Sequence, residues 1–190
     1  LGASTREAQV NVAVQVAHQV IAALEGEPVI TAVNVPSIPP ETIADVKPFI
    51  PLLKVMGQFY MQVYGGQVES IELTFCGEIA AYPVAPLSTS CLIGILSVML
   101  NENVNYVNAP HIARQRGIRV KEVTTRQVEN FTNVVNMRVK TDTGTRVISG
   151  TVFNKNDARI IRVGDYRIDV APSPYMLVCT YIDKPGVIGR

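Results

Sequence analysis

The stretch VNYVNAPHIARQRGIRVKEV, residues 104–123, contains the local signals from which we predict the fold of this chain. Asn108 precedes a helical pattern as a candidate N-cap, and Pro110 suits the first turn, where its missing N–H costs no hydrogen bond. Gly117 is placed to end the helix in the left-handed conformation, and an alternating run begins directly after it. The stretch therefore predicts a strand, a short helix and a second strand in close succession.

Basic side chains dominate this stretch, in which Glu122 is the one acid. Arg119 and Lys121 lie two residues apart and so share one face of the predicted strand. Convergent guanidinium groups bind phosphate or carboxylate bidentately, which favours a site for an anionic effector. The alternative is a solvated basic face, the usual role of such a charge cluster. The candidate effector-binding residues are Arg114, Arg116, Arg119, Lys121, Arg126 and Arg138, with His111 beside them when it is protonated.

The composition is that of a folded domain without a strong charge bias. Of the 190 residues, 47% are hydrophobic and 17% are charged, so the chain can bury a core. The net charge of +1 argues against a nucleic-acid-binding protein, and no apolar run is long enough to predict a membrane span. Cys76, Cys91 and Cys179 lie far apart without CxxC spacing, which predicts reduced thiols in a cytoplasmic protein and no metal site.

An apolar helix is predicted at the start of the chain, from Thr5 to Leu24. Ser4 and Glu7 are spaced as a capping box. Valines occur on nearly every side of this helix, so we expect it to be buried on most faces, with His18 as a satisfied core residue and not a ligand. The proline-rich residues 28–40 predict an extended connection to the next domain.

The rest of the chain predicts an α+β fold with an antiparallel sheet backed by helices. The alternating runs place one sheet face in a core, and the predicted helices are the apolar surfaces that could cover it. Asp142, Thr143 and Gly144 predict a hairpin turn. A second hairpin is predicted at 159–170 and a separate apolar strand at 175–181. The predicted helices cover 48–64, 86–100 and 109–116, and the predicted strands cover 69–76, 118–124, 131–140 and 146–153.

Catalytic signatures are missing from the sequence. There is no glycine-rich nucleotide loop, no HExxH and no nucleophile elbow. Cys91 and Cys179 lie in apolar runs, where a thiolate is disfavoured. A thiol enzyme built on Cys76 and His111 has no supporting motif. The residues alone therefore predict a non-catalytic chain.

Three parts of the sequence resemble one known family. LGASTREAQVNVAVQVA, residues 1–17, is similar to the segment that follows the catalytic histidine in D-2-hydroxyacid dehydrogenases of the phosphoglycerate dehydrogenase type. YMLVCTYIDKPGVIGR, residues 175–190, resembles the first strand and loop of the regulatory ACT domain of these enzymes. VNYVNAPHIARQRGI (104–118) and RVISGTVF (146–153) resemble the intervening domain of the long forms, which is also called the allosteric substrate-binding domain.

This resemblance implies an oxidoreductase of amino-acid biosynthesis. The family oxidises 3-phosphoglycerate with NAD to 3-phosphohydroxypyruvate, the first step of phosphorylated serine synthesis. Its catalytic histidine, glutamate and arginine and its glycine-rich loop would precede Leu1, so no family catalytic residue maps onto this chain. Leu1, Gly2 and Ala3 match positions that approach the nicotinamide side of NAD.

Two regulatory loops of this chain depart from the family pattern. Residues 124–132 keep Asn130 but have Phe131 and Thr132 where basic groups would stand. In the ACT strand, Tyr181 and Asp183 occupy the places of a histidine and an asparagine that serine-inhibited relatives use. Asp183 can accept a hydrogen bond from an amino group, whereas its charge would repel a carboxylate.

The resemblance divides the chain into three parts and implies that it is cut from a longer protein. Residues 1–35 would end the dehydrogenase domains, 36–174 would form the intervening domain and 175–190 would begin the ACT domain. The implied function is the regulatory and assembly portion of a cytoplasmic homo-oligomer with a small-molecule substrate and an amino-acid or anionic effector. We expect this chain alone to be inactive and its first helix to keep an exposed apolar face, which favours self-association or disorder. The alternative is a free-standing small-molecule-binding module without a dehydrogenase.

Overall fold

The computed structural model describes residues 5–24, 42–100, 103–154, 156–181 and 184. The proline-rich connection predicted at 28–40 and the capping residue Ser4 lie outside these residues. The helices are α1 (Arg6–Leu24), α2 (Ile43–Val46), α3 (Phe49–Val63), α4 (Ala85–Met99) and α5 (Ala109–Gln115), with a short 3-10 helix at Glu78–Ala81. The strands are β1 (Val68–Gly77), β2 (Arg119–Thr125), β3 (Asn133–Thr141), β4 (Gly144–Phe153), β5 (Asp157–Val163) and β6 (Tyr166–Val170).

The strands form one six-stranded mixed sheet in the order β2-β1-β3-β4-β5-β6. The α+β class and the predicted hairpins are confirmed, and the second hairpin belongs to the same sheet. The expectation of a wholly antiparallel sheet is wrong, because β2 runs parallel to β1. Between these strands the chain passes through α4 and α5, and a crossover through helices returns the chain to the starting end of the sheet.

Helices α3 and α4 cover one face of the sheet, as the apolar patterns predicted. Phe75 of β1 and Met137 of β3 are fully buried in this core, together with Leu53 of α3. The two helices approach unusually closely at glycines. A Cβ added at Gly57 would lie 2.6 Å from the carbonyl oxygen of Cys91, so the α3–α4 packing requires glycine there.

Within residues 104–123 the helix and the strand after it form, but the strand predicted before the helix does not, since residues 103–108 make no strand pairing. Asn108 stands at the N-cap position of the helix without the predicted cap bond. The side chain of Asn108 makes no cap bond to the helix; its Oδ1 accepts from the backbone N–H of Asn105 at 2.7 Å. Asn108 Nδ2 in turn donates to the carbonyl oxygen of Asn103 at 2.9 Å, so the amide organises the preceding loop. Gly117 ends the helix with φ 71°, as predicted.

Helix α1 forms as predicted, and in the described part of the chain its apolar side chains are exposed, as expected for this chain alone, and not buried on most faces. Thr5 caps it by accepting from the N–H of Ala8 at 3.2 Å. Val10 and Val16 remain 55% and 51% exposed, and His18 is exposed as well. No element in the described part of the chain buries these side chains, which is why an apolar sequence did not produce a buried helix here.

The strand predicted at 175–181 is not formed. Strands need a hydrogen-bonding partner, and none pairs with this segment in the described ranges. Tyr175 is 94% exposed, whereas Met176 and Val178 line a groove along α3. None of the helices in the described ranges has both the length and the apolar character required to span a bilayer.

Candidate functional site on the open face of the sheet

The face of the sheet opposite α3 and α4 brings part of the predicted basic cluster together. We call it the open face. Lys121 of β2 and Arg138 of β3 are the cross-strand neighbours of Glu72 of β1. Side chains of cross-strand neighbours point to the same side of a sheet, so these three share one face. Arg119 lies on the same face of β2 as Lys121. The sequence therefore identified three residues that share one surface.

Carboxylates partly neutralise this surface. Lys121 Nζ lies 2.8 Å from Glu72 Oε2, and Lys140 Nζ lies 2.6 Å from Glu69 Oε2. The hydrogen bond from Lys121 lowers the pKa of the Glu72 carboxyl, and the charges of Lys121 and Arg138 lower it further. Because these side chains are largely exposed, an anion bound here would be held weakly and would be sensitive to salt.

The other three predicted basic residues do not join this surface. Arg114 Nε donates to the carbonyl oxygen of Pro110 at 3.2 Å, and its side chain lines a groove with Glu122 on the helix-covered side of the sheet. Arg116 is exposed at the end of α5, and Arg126 is exposed just after β2. The six candidates therefore do not form one anion-binding cluster.

Phosphate titration by calorimetry tests the anion role of the shared surface. We expect Arg119→Ala and Arg138→Ala each to lower phosphate affinity about two- to fivefold at low ionic strength, since exposed ionic contacts contribute roughly 0.2–1 kcal/mol. Added salt should abolish the difference. If both variants bind phosphate as the parent does, the surface is a solvated face.

A cleft of about 670 Å³ on the open face was not found from the sequence. Its floor on the sheet includes Asn136 and Ser149, and the loop 127–131 also lines it. The ring of Phe131 in this loop lies 6.0 Å from the ring of Phe153. Its lining comes from β1, from the loop after β2 and from β3 to β6, so no local pattern marks it. The one available signal in the sequence was Phe131, an apolar residue in a loop where the family resemblance leads us to expect basic groups.

A chain of hydrogen bonds organises the floor of the cleft. Ser149 Oγ donates to Asn136 Oδ1 at 2.6 Å, and Asn136 Nδ2 donates to Cys76 Sγ at 3.6 Å. Burial raises the pKa of the Cys76 thiol, and the hydrogen bond from Asn136 offsets part of that rise. A neutral thiol is a poor nucleophile. His111 lies on α5, in the helix layer on the other side of the sheet, so the two residues do not form a dyad.

Cys91 is a core residue without reactive character. It is fully buried with its Sγ 3.2 Å from Met137 Sδ, and burial raises its pKa to about 12. Within the described ranges, no group of three or more His, Cys, Asp or Glu side chains could hold a metal ion.

The rate of alkylation should distinguish the exposed thiol of Cys179 from the buried thiol of Cys91. With iodoacetamide at mildly alkaline pH we expect Cys179, which is exposed, to react, and Cys91 to react only after unfolding. The reason is that iodoacetamide reacts with the thiolate form of cysteine and must be able to reach the sulfur. Mass spectrometry of tryptic peptides measures this. Rapid labelling of Cys91 in the folded protein would contradict the described core.

The predicted cofactor residues are not described by the structure. Leu1, Gly2 and Ala3 lie outside the described residues, and so does Asp183. Tyr181 is described and is 53% exposed.

Comparisons with known proteins agree on one family. Residues 45–164 match the family model described as the D-3-phosphoglycerate dehydrogenase intervening domain. Over its whole length the chain is 37% identical to D-3-phosphoglycerate dehydrogenase of Synechocystis sp., 36% identical to that of Methanocaldococcus jannaschii and 30% identical to that of Bacillus subtilis. The chain spans 34% of the first relative and 36% of each of the other two, about a third of their length.

Proposed function

Since the chain belongs to the D-3-phosphoglycerate dehydrogenase intervening-domain family, we propose that it is the regulatory and assembly portion of an NAD-dependent phosphoglycerate dehydrogenase. The whole protein would oxidise 3-phosphoglycerate to 3-phosphohydroxypyruvate in cytoplasmic serine biosynthesis. The observation that supports this proposal is the similarity of the entire chain to relatives that carry the dehydrogenase name.

We divide the protein accordingly. Residues 36–174 are the intervening domain, and the family match over 45–164 lies inside this range. Residues 1–35 end the dehydrogenase domains, and 175–190 begin an ACT domain. The buried core extends from Val46 of α2 to Ile160 of β5, which supports a separately folded middle part.

Helix α1 supports the proposed connection to a dehydrogenase. Its exposed valines lie on several sides of the helix, Val12 and Val14 among them. Successive side chains of an α-helix are rotated by about 100° around its axis, so these valines cover most of its circumference. A single flat interface with another element would therefore leave some of the valines exposed to water. A surrounding dehydrogenase domain would cover it.

The chemistry supplied by NAD is hydride acceptance from the substrate. Within this chain we assign Leu1, Gly2 and Ala3 to the rim of its site, and we assign no catalytic residue. The acid–base and substrate-binding residues belong to the part of the protein that precedes Leu1.

Activity measurements test the proposal directly. We expect the purified 190-residue chain to show no phosphoglycerate-dependent NAD reduction, because the proposed catalytic residues lie outside it. The longer protein that includes it should reduce NAD. NADH absorbance measures both. Turnover by the 190-residue chain, or inactivity of a folded longer protein, would contradict the assignment.

Regulation and assembly follow from a proposed homo-oligomer, either a dimer or a tetramer. An amino-acid or anionic effector would shift its activity only if the effector binds two arrangements of the subunits with different affinity. Tyr181 and Asp183 are the proposed contacts for an amino acid, and Arg119, Lys121 and Arg138 are those for an anion.

A free-standing binding module is the second candidate, and the core of the middle part favours it. This core is built between α3, α4 and the sheet without help from α1. The coding sequence upstream of Leu1 distinguishes the candidates, since a glycine-rich dinucleotide motif about 140 residues earlier would identify the dehydrogenase.

A further inference from the structure

We propose that the cleft beneath residues 127–131 binds a small organic monocarboxylate with an apolar, preferably aromatic, body. This binding goes beyond the proposed dehydrogenase assignment and does not depend on it. The observations that support it are an apolar wall, a pair of arginines facing each other across two strands, and nearby carboxylates that limit the charge of the ligand.

The apolar wall is formed by side chains that a soluble domain normally buries. Phe131 and Phe153 lie at an interplanar angle of 43° with their ring centroids 6.0 Å apart, and Phe153 is still 38% exposed. Val128, Ile161 and Ile168 also line the cleft. Aromatic pairs prefer tilted or offset geometry, so an aryl group could extend this pair. Ligand sites combine this type of surface with a few polar groups.

Arg162 of β5 and Arg167 of β6 are direct cross-strand partners, and both line the cleft. Like charges directly opposite each other destabilise a sheet. Neither arginine forms an ion pair within the described ranges. Arg162 Nε donates to the carbonyl oxygen of Gly164 at 2.8 Å, which leaves its terminal nitrogens for another acceptor. A ligand carboxylate between the two guanidinium groups would relieve their repulsion.

Arg159, on the same hairpin, differs from these two arginines because it has acidic partners. Its Nε lies 2.7 Å from Asp157 Oδ1, and its Nη1 lies 3.3 Å from Asp169 Oδ1. These two carboxylates satisfy Arg159, and they raise the pKa of its guanidinium, the hydrogen bond from Arg159 to Asp157 contributing most. The arginines that remain without an acid partner on this hairpin are thus the pair at the cleft.

The charge of the lining favours a monocarboxylate over phosphate. Glu129 also lines the cleft, whereas Asp169 in its lining is paired with Arg159, so the formal charges of Arg162, Arg167 and Glu129 leave a net charge of +1. A dianion would face two carboxylates nearby, whereas a single negative charge is matched by the arginine pair. The apolar wall adds affinity for an organic body and none for an inorganic ion.

Calorimetry on the 190-residue chain at low salt tests the proposal with 3-phenylpropionate, its uncharged amide and inorganic phosphate as probes. We expect 3-phenylpropionate to bind with one site per chain, and the amide and phosphate to bind at least about tenfold more weakly. Arg167→Gln and Phe131→Ala should each weaken 3-phenylpropionate about tenfold. Two exposed controls outside the cleft, Arg146→Gln and Val107→Ala, should leave it unchanged.

Far-ultraviolet circular dichroism on every variant establishes that loss of binding is not loss of fold. The proposal is overturned if the parent does not bind 3-phenylpropionate, or if phosphate binds as tightly. It is also overturned if Arg146→Gln weakens binding as much as Arg167→Gln does, since the loss would then reflect the net charge of the protein and not a contact in the cleft. Enzymatic activity of the longer protein is not used in this test, so its outcome is independent of the dehydrogenase assignment.

Discussion

Replacing Gly94 with alanine is expected to destabilise the protein by about 3 kcal/mol or more. The sign is the informative part, because alanine in a helix interior is normally the better residue by about 1 kcal/mol. Gly94 lies in α4 where this helix crosses α3, and a Cβ there would overlap the carbonyl oxygen of Lys54. That oxygen is backbone, so it moves only if the two helices separate and the core opens. Urea unfolding measures the loss.

Two control substitutions distinguish the steric overlap at Gly94 from the effect of a side-chain change in α4 and from backbone strain at a glycine. Ser97→Ala in the same helix changes an exposed side chain, so we expect a change within about 0.5 kcal/mol. Gly117→Ala has open space around the new Cβ but a φ of +71°, so it should cost about 1–2 kcal/mol from backbone strain alone. If Gly94→Ala is neutral or stabilising, α3 and α4 do not approach as described.

Truncation of Phe75 to alanine should destabilise the protein by about 3–5 kcal/mol. Phe75 lies in β1, which pairs with β2 on one side and β3 on the other, and its side chain is fully buried beneath the helices. The surrounding side chains are held by this sheet and by α3 and α4, so they can fill the cavity only partly. Equilibrium unfolding in urea gives the free energy, and the slope of the transition shows whether the fold changed.

Phe153→Ala is the matched control, since the same group is removed from a partly exposed site. Phe153 is 38% exposed at the cleft, and we expect a loss of about 1 kcal/mol, from reduced burial and from its contact with Phe131. Equal losses for Phe75→Ala and Phe153→Ala would contradict the description of one helix-covered face and one open face.

Local sequence patterns predicted most elements of this fold. The alternation in β1 placed Leu73 and Phe75 in the core, and both are fully buried. Gly117 and Gly144 have positive φ, as their turn positions predicted. These predictions succeeded because residue conformation and strand alternation are properties of a few neighbouring residues.

Three of the six basic residues predicted to bind an anion share one surface. Arg119, Lys121 and Arg138 share the open face, which depends on the alternation of β2 and β3 and on their pairing with β1. Arg114 lies in the groove on the other side of the sheet, because the chain turns between α5 and β2. A charge count along the sequence could not distinguish these positions, nor could it show that Glu72 binds Lys121.

The sequence by itself determined the α+β class, the positions of the helices and hairpins and the family to which the chain belongs. Only the tertiary structure decided that β2 runs parallel to β1, that α1 is not covered by any other described element, and that Arg162 and Arg167 face each other at an apolar cleft. The physical reason is the distance along the chain over which each kind of signal acts. Turn, cap and alternation signals act over a few residues, whereas strand direction and cleft lining depend on pairings between residues far apart in the chain.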